Sequence, residues 1–437
     1  MRLVFFSSSS FTIPILNDIY NCQGKSLLEI ILTRVETLNL ILDQQKSVEK
    51  KLSDLLFEKL VIFLSNNLAN LSQSEAQELK ADPSLLKIIN LLNSPIQFVG
   101  AATQPDSLNR GKLQQSEITK WCLTNQVSVF QPEKINNQFE QWLAFTENDF
   151  DIALVASFGQ IINQKTLNSA KLGWLNWHPS KLPKYRGPSP MQQCIYDGNT
   201  ATALSWIKMS KAMDAGEIYL QIPVEIPESK TFIELAEEMG NLGQLTWPMA
   251  ILSLIIAKFK QENPLKYPSN LDQTSLGLKP TLNSSSSQSS KFIEEIYTSL
   301  HDLAKLLPNI IQNESEATFT KMLNKPDSQL NIAEQTGQQI YNHYRAFIAF
   351  PKTLFYSKYF EQNVRLDIVN GVYNQRPLAK PINLQQDQDI LEINEEWSRE
   401  ANQKDYVLLK CANQTYLKIA AITLENGKKI NLRGFQW

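Results

Sequence analysis

Histidine is scarce in this chain of 437 residues: His178, His301 and His343 are the only three, so any chemistry that needs an imidazole has three candidates. Cysteine is almost as rare. Cys22, Cys122, Cys194 and Cys411 form neither a CxxC clip nor a closely spaced framework, which excludes a disulfide-stapled scaffold and makes a reducing compartment the default. Charge of one sign is missing too: 42 Lys and Arg stand against 44 Asp and Glu, a net −2, so the chain does not coat nucleic acid by bulk charge, although a local basic face stays open. No apolar run approaches the ~20 residues of a membrane span, and MRLVFFSSSSFTIPIL at the N-terminus has no h-region with a cleavage site. A soluble, cytoplasmic protein is expected. With 43% hydrophobic and 20% charged residues there is apolar content for a sizeable core and length for two domains.

Met1–Phe6 is a β-branched and aromatic run stopped by four serines, with an amphipathic segment from Phe11, the cadence of strand, loop and helix. Residues 24–94 then place apolar side chains at three- and four-residue spacing, which predicts two or three amphipathic helices. Short strands are predicted at Ile96–Ala101, Val127–Phe130, Ile152–Ala156 and Trp174–Trp177. Strands alternating with crossovers argue for an α/β fold with a mostly parallel sheet covered on both faces. Thr231–Phe259 reads as helix, and the Pro-, Ser- and Asn-rich text after it reads as a linker. The domains expected are 1–260, with the helical insertion at about 24–94, a linker at 261–300, and 301–437, whose alternating strands suit a small barrel or sandwich. Six basic residues against two acidic ones make Ala401–Trp437 locally positive.

The chemistry concentrates in GWLNWHPSKLPKYRGPSP, Gly173–Pro190. On a strand through Trp174–His178, Asn176 and His178 are i and i+2 and share a face. Pro179 biases His178 toward an extended backbone, and the proline-rich text after it cannot be a regular element. An amide and an imidazole therefore sit together at a strand end facing a rigid loop, where α/β sheets place their ligands. His301 and His343 read as surface or helix-end histidines.

This segment resembles the formyltransferase family that uses 10-formyltetrahydrofolate, through Asn176, His178, Ser180, Leu182, Pro183, Tyr185-Arg186-Gly187 and Pro190, and then Asp214-Ala215-Gly216. Within that family the methionyl-tRNA formyltransferases match best, on ATQPDSLNRGKL (Ala102–Leu113), ESEATFTKML and YRAFIAFP. The resemblance implies a Rossmann-like domain followed by an OB-like β-barrel domain that binds tRNA. It implies that Asn176, His178 and Asp214 are catalytic: an amide donor for the oxyanion, a base for the ammonium proton and a carboxylate to orient the base, with no metal. It implies folate contacts from Phe158, Gly159, Gln160 and Ile161, from Ser180, Leu182 and Pro183, and from Ala215, Gly216 and Glu217. Arg110, Lys112 and Arg186 would meet the acceptor end of initiator methionyl-tRNA, and a monomer without membrane association is expected.

Three features depart from the family: Ser7-Ser8-Ser9-Ser10 replaces a Gly-Thr-Pro turn, the helical insertion follows the first helix, and the linker is lengthened. Losing the permissive glycine is expected to restrict the backbone of a loop that, by the resemblance, lies near the methionyl end of the substrate. Two alternatives stand beside this reading: a formyltransferase acting on an amino sugar nucleotide, and a tRNA-binding homologue without catalysis.

Overall fold

A computed structural model describes residues 1–34, 37, 77, 79–109, 112–263, 296–298, 300, 309–373, 390–392, 397–400 and 406–433. Arg110, His301, most of the insertion at 24–94 and nearly all of the linker at 261–300 lie outside the described residues. By internal contacts the chain divides into two compact units. The first comprises Met1–Arg186, Ala203–Pro223 and Met239–Ala317; the second comprises Gly187–Thr202, Val224–Glu238 and Thr318–Trp437.

The first unit is mixed α/β around a mostly parallel sheet. Its centre is β1 (Arg2–Ser7), apolar almost throughout because neighbours cover both faces. Around it lie β2 (Gln97–Ala102), a short hairpin of β3 (Ser107–Asn109) and β4 (Lys112–Gln114), β5 (Val129–Phe130), β6 (Ile152–Ala156), β7 (Gly173–His178), β8 (Ala201–Lys208) and β9 (Ile218–Glu225). The sheet order is β5-β2-β1-β6-β7-β8-β9. β1 pairs in parallel with β2 and β6, and β6 with β7, whereas β8 runs antiparallel to β7. The chain winds outward from β1 in one direction and then, from β6, in the other. That reversal is a topological switch point, and the loops after β1 and β6 lie at its carboxyl end.

Helices α1 (Ile13–Asn21), α2 (Leu27–Leu32), α3 (Pro83–Asn93), α4 (Glu117–Thr124), α5 (Phe139–Phe145) and α6 (Gln164–Leu167) make the crossovers. α2 begins with a capping box, Ser26 receiving the Glu29 N–H and Glu29 the Ser26 N–H. One core cluster joins Val4, Phe6, Trp142, Phe150, Phe158 and Trp174. Phe6 lies 4.7 Å from Trp174 and edge-on to Phe158 at 5.0 Å between ring centroids. On α1, Asp18 accepts hydrogen bonds from Arg34 and from the Trp247 indole, each at 2.7 Å. Trp247 belongs to a long helix through Phe232–Glu262, longer than the predicted Thr231–Phe259 by its last turn. By length and composition alone that helix could cross a membrane, but 78% of its most apolar window is buried, as befits a core helix.

The second unit is built from α7 (Pro190–Tyr196), α9 (Gly337–Phe347, with α8 denoting Phe232–Glu262) and strands β10 (Gln329–Leu330), β11 (Leu354–Ser357), β12 (Gln362–Tyr373), β13 (Ile390–Glu392), β14 (Trp397–Glu400), β15 (Val407–Lys410), β16 (Tyr416–Leu424) and β17 (Lys429–Asn431). These strands form one sheet in the order β10-β11-β12-β16-β15-β14-β13, with β17 on β16, antiparallel apart from the β10–β11 pair. On α7, Tyr196 stacks on Phe347 of α9 at 5.8 Å. His343 corrects an expectation. It is buried at 3% exposure rather than at the surface, with Nε2 against the Asp327 carbonyl at 2.9 Å and Nδ1 against the Thr353 hydroxyl at 3.0 Å. Burial pushes its imidazole down to about 4.

Candidate active site

β7 carries the site because its two neighbours fix its face. Asn176 pairs with Val155 on one side and Ile207 on the other, and His178 lies opposite Ser205, so both side chains project from the same side of the strand's end. Trp177, between them, turns away and donates its indole N–H to the Met239 carbonyl at 3.2 Å.

Asp214 meets both. The Asn176 Nδ2 donates to Asp214 Oδ1 at 3.2 Å, and His178 Nδ1 lies 3.6 Å from Asp214 Oδ2. The pair is secluded, with the side chains of His178 and Asp214 5% and 15% exposed. His178 Nε2 lies 3.0 Å from the Tyr185 carbonyl. A carbonyl only accepts, so Nε2 carries the hydrogen and the lone pair of the neutral ring is at Nδ1, toward Asp214. The amide of Asn176 has two N–H groups, of which the carboxylate engages one; the other is available to a developing oxyanion. An imidazolium would satisfy the carbonyl and the carboxylate together.

The loop after β7 is tied to itself and to β8. The Ser180 hydroxyl donates to the Lys184 carbonyl at 2.7 Å, the Ser205 hydroxyl to the Ser180 carbonyl at 2.6 Å, and the Gln221 amide to the Leu182 carbonyl at 3.1 Å. Ser180 is fully buried, and its hydroxyl is used inside the loop. Leu182 packs against Ile207 and Ile218, and a cis peptide joins it to Pro183.

At the switch point the Ser7–Ser10 loop lies against the loop after β6. Ser8 N–H donates to the Ser157 carbonyl at 3.2 Å and its hydroxyl to the Phe158 carbonyl at 3.3 Å, which also accepts from the Gln104 amide at 2.8 Å. None of residues 7–10 takes a positive φ, so the missing glycine costs this loop no backbone strain. Of the four residues expected along the pterin, Phe158 is core, Gly159 takes φ +80°, Gln160 bonds the Ile135 N–H and the Pro132 carbonyl, and Ile161 is 87% exposed. Ala215 and Gly216 follow Asp214 directly. A Cβ on Gly216 would stand 1.7 Å from the Lys208 carbonyl oxygen, so only glycine fits. Glu217 accepts from the Tyr219 hydroxyl at 3.0 Å.

Lys112 is exposed on the β3–β4 hairpin. Arg186 is not exposed: at 2% it is buried, donating twice to Glu314 at 2.9 and 2.7 Å and twice to Gln312 Oε1 at 3.1 and 2.9 Å. These bonds occupy the guanidinium inside the unit and keep it from a phosphate arriving from solvent, contrary to the expectation for a loop arginine. The same guanidinium holds the Glu314 carboxyl below its usual range. Glu314 opens the ESEATFTKML stretch, whereas Gln312, two residues before it, carries no local sequence signal. Among the described residues no three His, Cys, Asp or Glu side chains converge as a metal-ligand set.

An amide, an imidazole and a carboxylate thus lie secluded together at the carboxyl end of a mostly parallel sheet on an α/β domain, where such sheets place their ligands. Residues 59–251 match the formyl transferase family model, a family that draws its one-carbon group from 10-formyltetrahydrofolate. Among curated relatives, the methionyl-tRNA formyltransferase of Sulfurihydrogenibium sp. (strain YO3AOP1) is 27% identical over 63% of this chain and 73% of its own length. That of Trichormus variabilis is 34% identical over 37% of this chain and 49% of its own length. The match thus spans between about half and three-quarters of these relatives. A solved sugar N-formyltransferase from Shewanella sp. FDAARGOS_354 superposes with a TM-score of 0.44 at 12% identity, over 84% of this chain and 97% of that one.

Proposed function

We propose that the protein transfers the formyl group of 10-formyltetrahydrofolate to the α-amino group of initiator methionyl-tRNA, in the cytoplasm, for translation initiation. The observation that carries the chemistry is the convergence of Asn176 and His178 on Asp214 at 3.2 and 3.6 Å. The names of the curated relatives support the acceptor.

Attack of the amine nitrogen on the formyl carbon forms the C–N bond and leaves an oxyanion and an ammonium. The second Asn176 N–H stabilises the oxyanion, as preorganised donors do at other acyl-transfer sites. His178 Nδ1 takes the ammonium proton, and Asp214 stabilises the resulting imidazolium while it fixes the Asn176 amide. Collapse breaks the bond between the formyl carbon and the donor nitrogen, and the imidazolium returns its proton to that nitrogen. Backbone around Gly159, at φ +80°, and the Asp214–Glu217 loop line the donor's place in this reading. We read the second unit as an OB-like tRNA-binding domain, with Lys112 on the hairpin as a phosphate contact.

The test is formyl transfer from 10-formyltetrahydrofolate to charged initiator tRNA, beside elongator methionyl-tRNA and an amino sugar nucleotide. Formylation of the initiator alone is expected. Transfer to the sugar nucleotide and not to tRNA would overturn the acceptor, and transfer to none of the three would leave a tRNA-binding protein without catalysis.

A further inference from the structure

The loop that presents Asp214 has an unusual support. Asp214 takes φ +50°, in the left-handed region that a side chain other than glycine enters at a cost, so something must hold it there. Gln312 touches that loop twice. Its Nε2 donates to the Asp214 carbonyl at 2.8 Å and to the Gly216 carbonyl at 2.7 Å. Its Oε1 accepts two bonds from Arg186, whose neighbour Tyr185 supplies the carbonyl that holds His178 Nε2. Both hydrogens and both lone pairs of one amide are therefore used. The segment around it is fixed as well: Ile310 exchanges two backbone hydrogen bonds with Ile218 at the start of β9, at 2.9 and 2.8 Å, and Glu314 grips Arg186. Gln312 itself is 6% exposed.

From this closed circuit we infer that Gln312 is a positioning residue for formyl transfer: it couples the His178 loop to the Asp214 loop, through Arg186 on one side and two backbone carbonyls on the other. Arg186 serves the same circuit instead of meeting tRNA. The inference deepens the proposed function and rests on it for the identity of the reaction.

Gln312→Glu separates the two halves of the circuit. It keeps an oxygen for Arg186 and puts an anionic oxygen where two N–H groups faced carbonyls, so the Asp214 loop is released while the arginine stays paired. A misplacement of about 1 Å costs on the order of 10²-fold in rate. The expected result is a fall of about 10²-fold in kcat with the KM values for donor and acceptor within about twofold of wild type. The Asn176 amide and His178 imidazole NMR signals shift with it. Gln312→Met, which fills the same volume without hydrogen bonds, gives the same pattern if the Glu variant does not fold. Wild-type kcat together with unmoved Asn176 and His178 signals in a folded variant would overturn the inference. If wild-type protein transfers no formyl group yet the variant moves those signals, the reading of the reaction fails and the positioning role stands.

Discussion

Asp214→Asn removes one charge from the centre of the site and almost no volume. In the proposed mechanism the ammonium proton passes to His178, and the imidazolium so formed would lie 3.6 Å from the Asp214 carboxylate. At an effective dielectric of about 20, two unit charges at that separation attract by about 4.6 kcal/mol. Solvent screening takes little from this, because the two side chains are 5% and 15% exposed. Every 1.36 kcal/mol is tenfold in rate, so the substitution should slow the chemical step by about 10³-fold. Asparagine can still accept the Asn176 N–H through its own oxygen, and so the oxyanion donor stays roughly in place. The assay is single-turnover formyl transfer with enzyme in excess over charged tRNA and donor saturating, quenched on the millisecond scale, which isolates chemistry from product release. Tight donor binding with a rate down by about three decades is expected. A rate within tenfold of wild type would refute the carboxylate's electrostatic role and leave it only a steric one.

Gly216→Ala sets a Cβ 1.7 Å from the Lys208 carbonyl oxygen, so the β8–β9 end must open and the bond from Lys208 N–H to the Glu217 carbonyl is strained; a loss of about 1–3 kcal/mol is expected in denaturant unfolding, and an unchanged midpoint would contradict the geometry. His343 makes the second unit acid-sensitive. Its folded value is lowered to about 4 from 6.5, so as pH falls from 6.5 to 4 the unfolded chain takes up a proton that the folded chain refuses, and stability declines by about 3 kcal/mol in all. His343→Gln should flatten unfolding free energy against pH across that window, and an equally steep slope in the variant would refute the assignment. Lys112→Ala, on an exposed hairpin, should lower the slope of log affinity for tRNA against log salt by about one, measured by filter binding at several salt concentrations; an unaltered slope would remove Lys112 from the phosphate contacts.

The central strands were legible because a strand buried on both faces must be apolar without alternation, and RLVFFS, IALVA and GWLNWH are short enough that only a strand fits them. Edges were less legible. Val127–Phe130 shrinks to Val129–Phe130, since an edge strand needs only a few ladder bonds and its ends obey the loop beside it. His343 was misread for a related reason: polarity predicts the surface only when the hydrogen bonds a buried ring could make are unknown, and here Thr353 and the Asp327 carbonyl supply both.

The same distinction runs through the site. Asn176 and His178 are two residues apart on one strand, so the period of the strand places them together and the sequence displays the pair directly. The family resemblance gave Arg186 to the tRNA acceptor end, and nothing near it along the chain offers another partner. Its partners are Gln312 and Glu314, 126 and 128 positions away, beyond a stretch without periodicity. What selects glutamine at 312 is a pair of backbone carbonyls on one side and a guanidinium on the other, and carbonyls leave no mark on any side-chain pattern. A residue recruited by main-chain atoms of a distant loop is therefore invisible to motif and period alike. That Arg186 stands in the same motif as His178 then has a physical reading: the motif holds both the imidazole and the arginine through which, by way of Gln312, the Asp214 loop is held to it.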